Sequence, residues 1–438
     1  MNIILLSGGS GKRLWPLSND IRSKQFIKLF KNENEEYESM LQRVYRQIIE
    51  VDCDANITIA TSKSQASAIK NQLGEKVSIC VEPCRRDTFP AVVLAASYLH
   101  DKLGIDKKEV VIVCPVDPYV DNAYYESVKK LQDVAESEGA KLTLMGIEPT
   151  YPSEKYGYII AENEDEVSKV VEFKEKPDVE TAKKYLNQHA LWNAGIFAFR
   201  LEYLLNRAHE LIDFQDYDDL FEKYEILTKI SFDYAVVEKE SSIQVLRYRG
   251  DWKDVGTWNM MSEVMADKTK GKVLLDDTCQ NTNVVNELNI PILCMGCKDM
   301  IISASGDGIL ISDKERSGYM KSYVEKIETD AMYAEKSWGT YTVMDVQPGS
   351  MTVKISMKAG EHMSYHLHHN RKEVWTVVSG KGKVVLDGEV RQIKTGDVIN
   401  INEEVKHMVE AISILDIVEV QLGKEISVDD KIKFPCNV

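Results

Sequence analysis

Ser7-Gly8-Gly9-Ser10-Gly11-Lys12-Arg13-Leu14-Trp15-Pro16-Leu17-Ser18 follows directly on the apolar run Ile3-Ile4-Leu5-Leu6. A short apolar run that opens into glycines reads as a buried strand leading into a loop. Three glycines let the backbone approach a phosphate closely and aim N–H groups at it. Lys12 and Arg13 add cations where such charge would collect. The loop is not a Walker A loop, because Leu6 stands where the first Gly belongs and Arg13 where Ser or Thr belongs. It is not a dinucleotide fingerprint either, since Leu14 replaces the third Gly. By itself Gly-Gly-x-Gly is also what a plain strand-to-helix turn contains.

Beyond the loop, apolar strands and amphipathic helices alternate as far as residue 265 or so. Ile3–Leu6, Asn56–Ala60, Val110–Cys114 and Leu142–Ile147 read as strands, Ser39–Ile49 and Ala91–Leu99 as helices. This alternation predicts an α/β, Rossmann-like domain over 1–265 with a mostly parallel sheet. Ligands of such sheets bind beyond the strand carboxyl ends. Over 266–335 short β pieces separated by polar turns predict a stacked, β-helix-like linker module suited to self-association. Over 336–438 short strands with Gly turns predict an all-β barrel.

The 438 residues exceed one ordinary core. A net charge of −16 disfavours nucleic acid as a partner but leaves room for a small anion held by a few Lys and Arg. No apolar run suits a membrane helix, and the first residues lack a signal-peptide pattern, so no membrane partner and a cytoplasmic location are expected. The eight cysteines are scattered, and Cys294-x-x-Cys297 reads as two strand residues rather than a zinc site.

The string from Gly8 to Ser18, followed by Lys24-Gln25-Phe26, resembles the signature of mannose-1-phosphate guanylyltransferases, with Ser23 where that family usually has Pro. The resemblance continues in order through Glu82-Pro83-Cys84-Arg85-Arg86-Asp87-Thr88, Cys114-Pro115-Val116-Asp117, Tyr156-Gly157-Tyr158-Ile159, Phe173-Lys174-Glu175-Lys176-Pro177, Trp192–Phe197, Ser231–Lys239 and Trp252–Trp258. Asp87 stands where the family has Asn. The resemblance implies a nucleotide site built from Ser7, Gly8, Gly9, Gly11, Lys12, Glu82, Arg86 and Thr88, with Arg13 and Lys24 on the phosphates. It implies a sugar-phosphate site of Gly157, Glu175, Lys176 and Asn193, and Mg²⁺ on Asp117 and Asp254. The implied reaction is attack of a sugar 1-phosphate oxygen on the α-phosphorus of GTP. The nucleophile is already an anion, so the work lies in alignment and charge neutralisation rather than in a base.

Five of the eight histidines lie between 362 and 407. The spacing Gly360-x5-His366-x-His368-x4-Glu373-x6-Gly380 matches the first motif of cupin barrels, and Gly396 with His407 keeps part of the second. Asn402 and Glu404 replace the usual Pro and Gly. Alternation puts His366 and His368 on one strand face. Three imidazoles and a carboxylate suit Zn, Mn, Fe, Ni or Co, and the donor set alone does not choose. The same stretch resembles the C-terminal domain of type II phosphomannose isomerases, in Trp338-Gly339, Met363-Ser364, Arg371, Trp375, Val377–Gly380 and Glu419–Gln421. That family carries tail arginines which this chain lacks: Lys433 stands near the first, and the chain stops before the second.

The expected function is therefore transfer of GMP from GTP to a sugar 1-phosphate, with mannose 1-phosphate first among candidates and a homodimer as the assembly. The alternatives are a bifunctional enzyme that also isomerises, a nucleotidyltransferase for another sugar phosphate, and a non-catalytic sugar-nucleotide sensor.

Overall fold

The computed structural model describes residues 1–9, 12–19, 21–137, 139–327, 331–424, 426–427 and 430–435. Gly11, and Asp429 and Cys436 of the tail, lie outside them. The chain forms two compact units. One comprises Met1–Ser10, Gln25–Ala66 and Lys76–Ala266, and the other Gly11–Lys24, Ser67–Glu75 and Asp267–Val438.

The first unit is built on a nine-stranded sheet. Its order is Ser78–Glu82, Asn56–Ser62, Asn2–Ser7, Val110–Pro115, Leu191–Arg200, Leu142–Ile147, Ile243–Tyr248, Val167–Lys174 and Tyr158–Ala161. The first four strands are parallel, joined through helices Met40–Val51, Ala66–Leu73 and Thr88–Asp101. The far half is mixed and so departs from a mostly parallel sheet. Leu191–Arg200 runs antiparallel to both its neighbours, and Tyr158–Ala161 pairs antiparallel with Val167–Lys174. Parallel neighbours need a long crossover, whereas residues 162–166 supply only a tight hairpin connection.

Helix Thr88–Asp101 carries apolar side chains nearly all round. Val92, Val93, Leu94, Ala95, Ala96 and Leu99 are fully buried in one cluster with Ile4, Val111, Val113, Leu144 and Phe199. A helix apolar on all sides is a buried helix. Helix Met40–Val51 starts at a capping box, with Ser39 accepting from the Gln42 amide and the Gln42 side chain returning to the Ser39 amide. Among the described residues no helix is long and apolar enough to cross a membrane.

In the second unit, Thr269–Lys270, Asn283–Asn286 and Met300–Ser305 stack in parallel, and Gly308–Asp313 closes the sheet as an antiparallel edge. Val273–Leu275 and Ile292–Cys294 pair in parallel beside it. Cys294 lies in that strand as expected; Cys297 falls just beyond it, and Cys279 joins the same small core. The rest is a barrel of two antiparallel sheets. One has six strands, Tyr333–Lys336, Gly339–Gln347, Ser350–Met357, Leu415–Gly423, Arg371–Ser379 and Val398–Ile401. The other has five, Glu389–Lys394, Lys381–Leu386, His407–Ala411, His366–Leu367 and Ile432–Lys433. Val353, Ile355, Trp375, Val384, Val409, Leu415 and Ile417 fill the space between them.

Candidate functional site

In the first unit a cavity of about 210 Å³ lies at the carboxyl ends of strands Val110–Pro115 and Val167–Lys174 and the amino ends of Tyr158–Ala161 and Leu191–Arg200. Five expected site residues line it: Asp117, Gly157, Glu175, Asn193 and Asp254. Asp117 lies just past strand Val110–Pro115. A two-residue ladder then pairs Asp254 with Pro118 and Lys253 with Tyr119. That ladder brings carboxylates from distant positions in the chain to one wall, the pattern a hard divalent cation needs. Tyr156 also lines the cavity, and burial together with the Asp254 carboxylate pushes its phenol above the ordinary value.

The segment expected to take the sugar phosphate contributes Glu175 to the same lining. Glu175 is buried and its amide donates to Glu238 Oε1 at 3.1 Å. A Cβ on Gly157 would lie 2.5 Å from Glu175 Oε2, so only glycine leaves room for that carboxylate. The Lys176 ammonium pairs with Glu175. Burial works against its charge, but the Glu175 hydrogen bond prevails and holds it above the usual lysine range. Lys176 has φ +46°, an uncommon conformation for a residue with a Cβ and one that clusters at functional sites. Strand Leu191–Arg200 shifts register between Asn193 and Phe197, a bulge of the kind that re-aims side chains. There Asn193 Nδ2 donates to Asp233 Oδ1 at 2.7 Å, and Asn193 Oδ1 accepts from the Gly195 amide at 3.0 Å.

Asp233 is the residue that the sequence did not single out. It sits on the one-turn helix Phe232–Ala235 and lines the same cavity. Burial first, and then the charge of Glu175, push its carboxyl up to about 7. Its only sequence signal was membership in the run Ser231–Lys239.

The residues expected at the nucleotide are placed as follows. Ser7 is buried, its hydroxyl accepting from Gln25 Nε2 at 3.2 Å and its carbonyl from Thr61 Oγ1 at 3.0 Å. Gly8 and Gly9 are exposed, and the Gly9 carbonyl accepts from Gln65 and Arg85. Lys12 and Arg13 lie in a 3-10 turn, Lys12–Leu14, and Lys24 in another, Lys24–Phe26. Glu82, Arg86 and Thr88 all hold the segment 224–232. The Tyr224 hydroxyl donates to Glu82 at 2.7 Å, Arg86 donates to the Glu225 carbonyl, and Thr88 Oγ1 accepts from the Phe232 amide at 2.8 Å. Asp87, at φ +70°, caps helix Thr88–Asp101.

The barrel brings its four expected ligands together. His366, His368 and His407 are buried, and one ligand atom from each lies within 4.8 Å of the others. Glu373 Oε1 is 3.1 Å from His368 Nε2, and its Oε2 is 3.4 Å from His407 Nε2. Each imidazole rests its Nδ1 on a backbone carbonyl: His366 on Ser364 at 2.6 Å, His407 on Val405 at 2.8 Å, and His368 on Asp430. Such supporting bonds turn Nε2 inward as a donor atom for a metal. His407 Nε2 is buried with no hydrogen-bond partner, an orphaned polar atom that a cation would satisfy. Burial pushes the His366 imidazole far below its ordinary value, so it is neutral at pH 7 as a ligand must be. Burial alone would raise Glu373, yet the neighbouring His368 and His407 imidazoles hold it well below the carboxylate range.

Sequence reading did not foresee how far Arg371 enters this set. Its Nε donates to Glu373 at 3.0 Å, its Nη1 to the Ser427 carbonyl at 2.8 Å, and its Nη2 lies 3.0 Å from His368 Nε2. Glu404, standing where cupins usually have Gly, keeps the left-handed backbone at φ +67°. Lys433 lies directly opposite His366 in the sheet.

Comparison with known proteins matches both parts of the chain to described families. A family model described as nucleotidyl transferase matches residues 2–271, and one described as mannose-6-phosphate isomerase C-terminal matches 325–435. The mannose-1-phosphate guanylyltransferase of Escherichia coli (strain K12) is 29% identical, covering 98% of this chain and 97% of that protein. The mannose-1-phosphate guanylyltransferase ManC of Salmonella typhimurium is 30% identical, covering 98% and 96%. The xanthan biosynthesis protein XanB of Xanthomonas campestris pv. campestris (strain B100) is 30% identical, covering 98% and 97%. A crystal structure from Thermus thermophilus, described as a mannose-1-phosphate geranyltransferase, matches at a TM-score of 0.60 and 27% identity, covering 75% of this chain and 99% of that one.

Proposed function

This chain belongs to the mannose-1-phosphate guanylyltransferase family of nucleotidyl transferases, and on that premise we propose that it transfers GMP from GTP to mannose 1-phosphate. The observation that supports the reading is the Pro118–Asp254 pairing, with Asp117, Asp254 and Glu175 all lining the same cavity. A phosphate oxygen of the sugar 1-phosphate attacks the α-phosphorus, the new P–O bond forms, and the bond to the β-phosphate breaks. Asp117 and Asp254 would hold Mg²⁺, which neutralises charge on the phosphates when bound. Lys176 takes the sugar phosphate, with Glu175, Asn193 and Asp233 facing the sugar hydroxyls. Arg13 and Lys24, with the amides of the glycine loop, take the triphosphate. Glu82, Arg86 and Thr88 fix the segment that borders the base and ribose. The domain division we propose is 1–265 for transfer, 266–335 as the linking module and 336–438 as the cupin barrel.

For the barrel we propose one bound transition metal on His366, His368, His407 and Glu373. A metal held by His368 and Glu373 would replace the contacts that Arg371 makes to those atoms. In the isomerase family a tail arginine near the position of Lys433 helps hold the substrate phosphate. Lys433 lacks the planar fork that would replace an arginine there. Aldose–ketose isomerisation is accordingly weak or absent.

The partner we propose is a second copy. Ile311, Tyr319, Tyr323 and Ile327 line one groove and are 68, 69, 62 and 42% exposed. The adjacent strand Gly308–Asp313 is a sheet edge. A bare apolar face beside an open edge invites another strand, and a two-fold axis lets the same edge supply it.

Four measurements test this reading. Pyrophosphate release with GTP, Mg²⁺ and a panel of sugar 1-phosphates should be strongest with mannose 1-phosphate, and Asp254→Asn should lower turnover at least about 100-fold. Elemental analysis should find close to one transition metal per chain, lost in the His366→Ala plus His368→Ala variant while nucleotidyl transfer persists. A coupled assay of fructose 6-phosphate conversion to mannose 6-phosphate, with added Zn²⁺, Mn²⁺ or Co²⁺, should show little or no turnover. Light scattering after size exclusion should give a dimer that Ile311→Glu shifts to monomer.

A further inference from the structure

The segment that carries Arg13 and Lys24 is tied at four successive points to the β-rich module. The Trp15 ring lies over Gly308, where a Cβ would come within 2.4 Å of it. Ser305 Oγ donates to the Pro16 carbonyl at 2.7 Å. Asn19 Nδ2 donates to Asp307 Oδ2 at 2.7 Å, while Asn19 Oδ1 accepts from the amides of Ile21 and Arg22 at 2.9 and 2.7 Å. Arg22 grips Glu287 with both terminal nitrogens, at 2.7 and 3.0 Å, and its guanidinium lies 4.8 Å from the centre of the Tyr333 ring. Arg22 is only 8% exposed.

These ties answer a feature of the sequence. The related signature has Pro immediately before Lys-Gln, and here that position is Ser23. Proline restricts its own φ and the conformation of the residue before it. Without it, the backbone leading into Lys24 needs another restraint, and the bidentate pair sits two residues before Lys24. A buried, two-pronged guanidinium–carboxylate pair fixes direction as well as distance. Asp307 extends the restraint, since its Oδ1 accepts from the Met332 amide at 2.7 Å while Oδ2 holds Asn19.

We propose that Arg22 and Glu287 are positioning residues for the nucleoside triphosphate, through which the β-rich module holds Arg13 and Lys24 ready for its phosphates. The proposal rests on the reading of those two cations as phosphate ligands. A loop held in its bound form spends less of its binding energy on ordering. Loosening the clamp therefore weakens the triphosphate and leaves the sugar phosphate and the chemical step alone.

The test measures GTP binding by calorimetry with Mg²⁺, alongside KM for each substrate and kcat. Arg22→Lys and Glu287→Gln should each weaken GTP binding about tenfold, with kcat and the sugar 1-phosphate KM within about twofold of the parent chain. The exchanged pair, Arg22→Glu with Glu287→Arg, should recover most of the loss. If a single change lowers the thermal midpoint, Ser305→Ala, which removes the bond to the Pro16 carbonyl and the one accepted from the Asp307 amide, should still weaken GTP by about threefold. Unchanged GTP affinity in the single variants overturns the proposal. So does an equal loss for both substrates that the exchange does not recover. Because binding is read directly, a parent chain that binds GTP but transfers nothing would sink the transferase reading and leave the clamp open to the same test; a parent chain that binds no GTP would sink both.

Discussion

Helix Thr88–Asp101 can exist only buried, and its burial is what the transferase unit is built around. Each of its fully covered valines and leucines contributes about 1.5–3 kcal/mol by leaving water. Val92, Val93, Leu94 and Leu99 share that cluster with the strands on either side of Asn2–Ser7. Once these strands are locked in register, their carboxyl ends have no freedom. Ser7, Glu82 and Asp117 all lie at or just past such ends. The helix also begins where the Asp87 cap and Thr88 meet the segment 224–232, so one packing event sets both the core and the border of the site.

The cavity in this unit crowds four carboxylates together, Asp117, Glu175, Asp233 and Asp254. Like charges in a partly dry space repel, and the structure relieves the strain in two ways. Lys176 pairs with Glu175, and Asp233 has its carboxyl raised into the neutral range by burial and by its neighbour. A site of this kind gains from cations and hydroxyl donors.

The barrel solves the opposite problem. Three imidazoles and a glutamate are removed from water, and every Nδ1 is anchored to a carbonyl so that the other nitrogens converge. Glu419, on the adjoining strand Leu415–Gly423, is pushed up to about 8 by burial and by the Glu373 charge, so the interior carries fewer anions than its composition suggests. Arg371 supplies the counter-charge. The three imidazoles and Glu373 are thereby gathered around one point in the barrel.

Much of this was legible in the order of residues. Strand–helix alternation, the glycine loop, the Glu175-Lys176 motif and the His366–Glu373 spacing are local patterns, and local periodicity determines which side chains share a face. The same patterns supplied the family and the two kinds of site. They did not supply the antiparallel far half of the sheet, because strand direction depends on which partners are left unpaired after the core forms. Nor did they reveal Asp233, the reach of Arg371 into the histidine set, or the Arg22–Glu287 clamp. Each of these acts through a neighbour far away in the chain: Asn193 for Asp233, Ser427 as well as Glu373 for Arg371, and Glu287 for Arg22. The sequence alone determined the residue types and their spacing; only tertiary structure decided which charges meet, because burial and partner distance set the strength of a charge interaction and neither is a property of one segment.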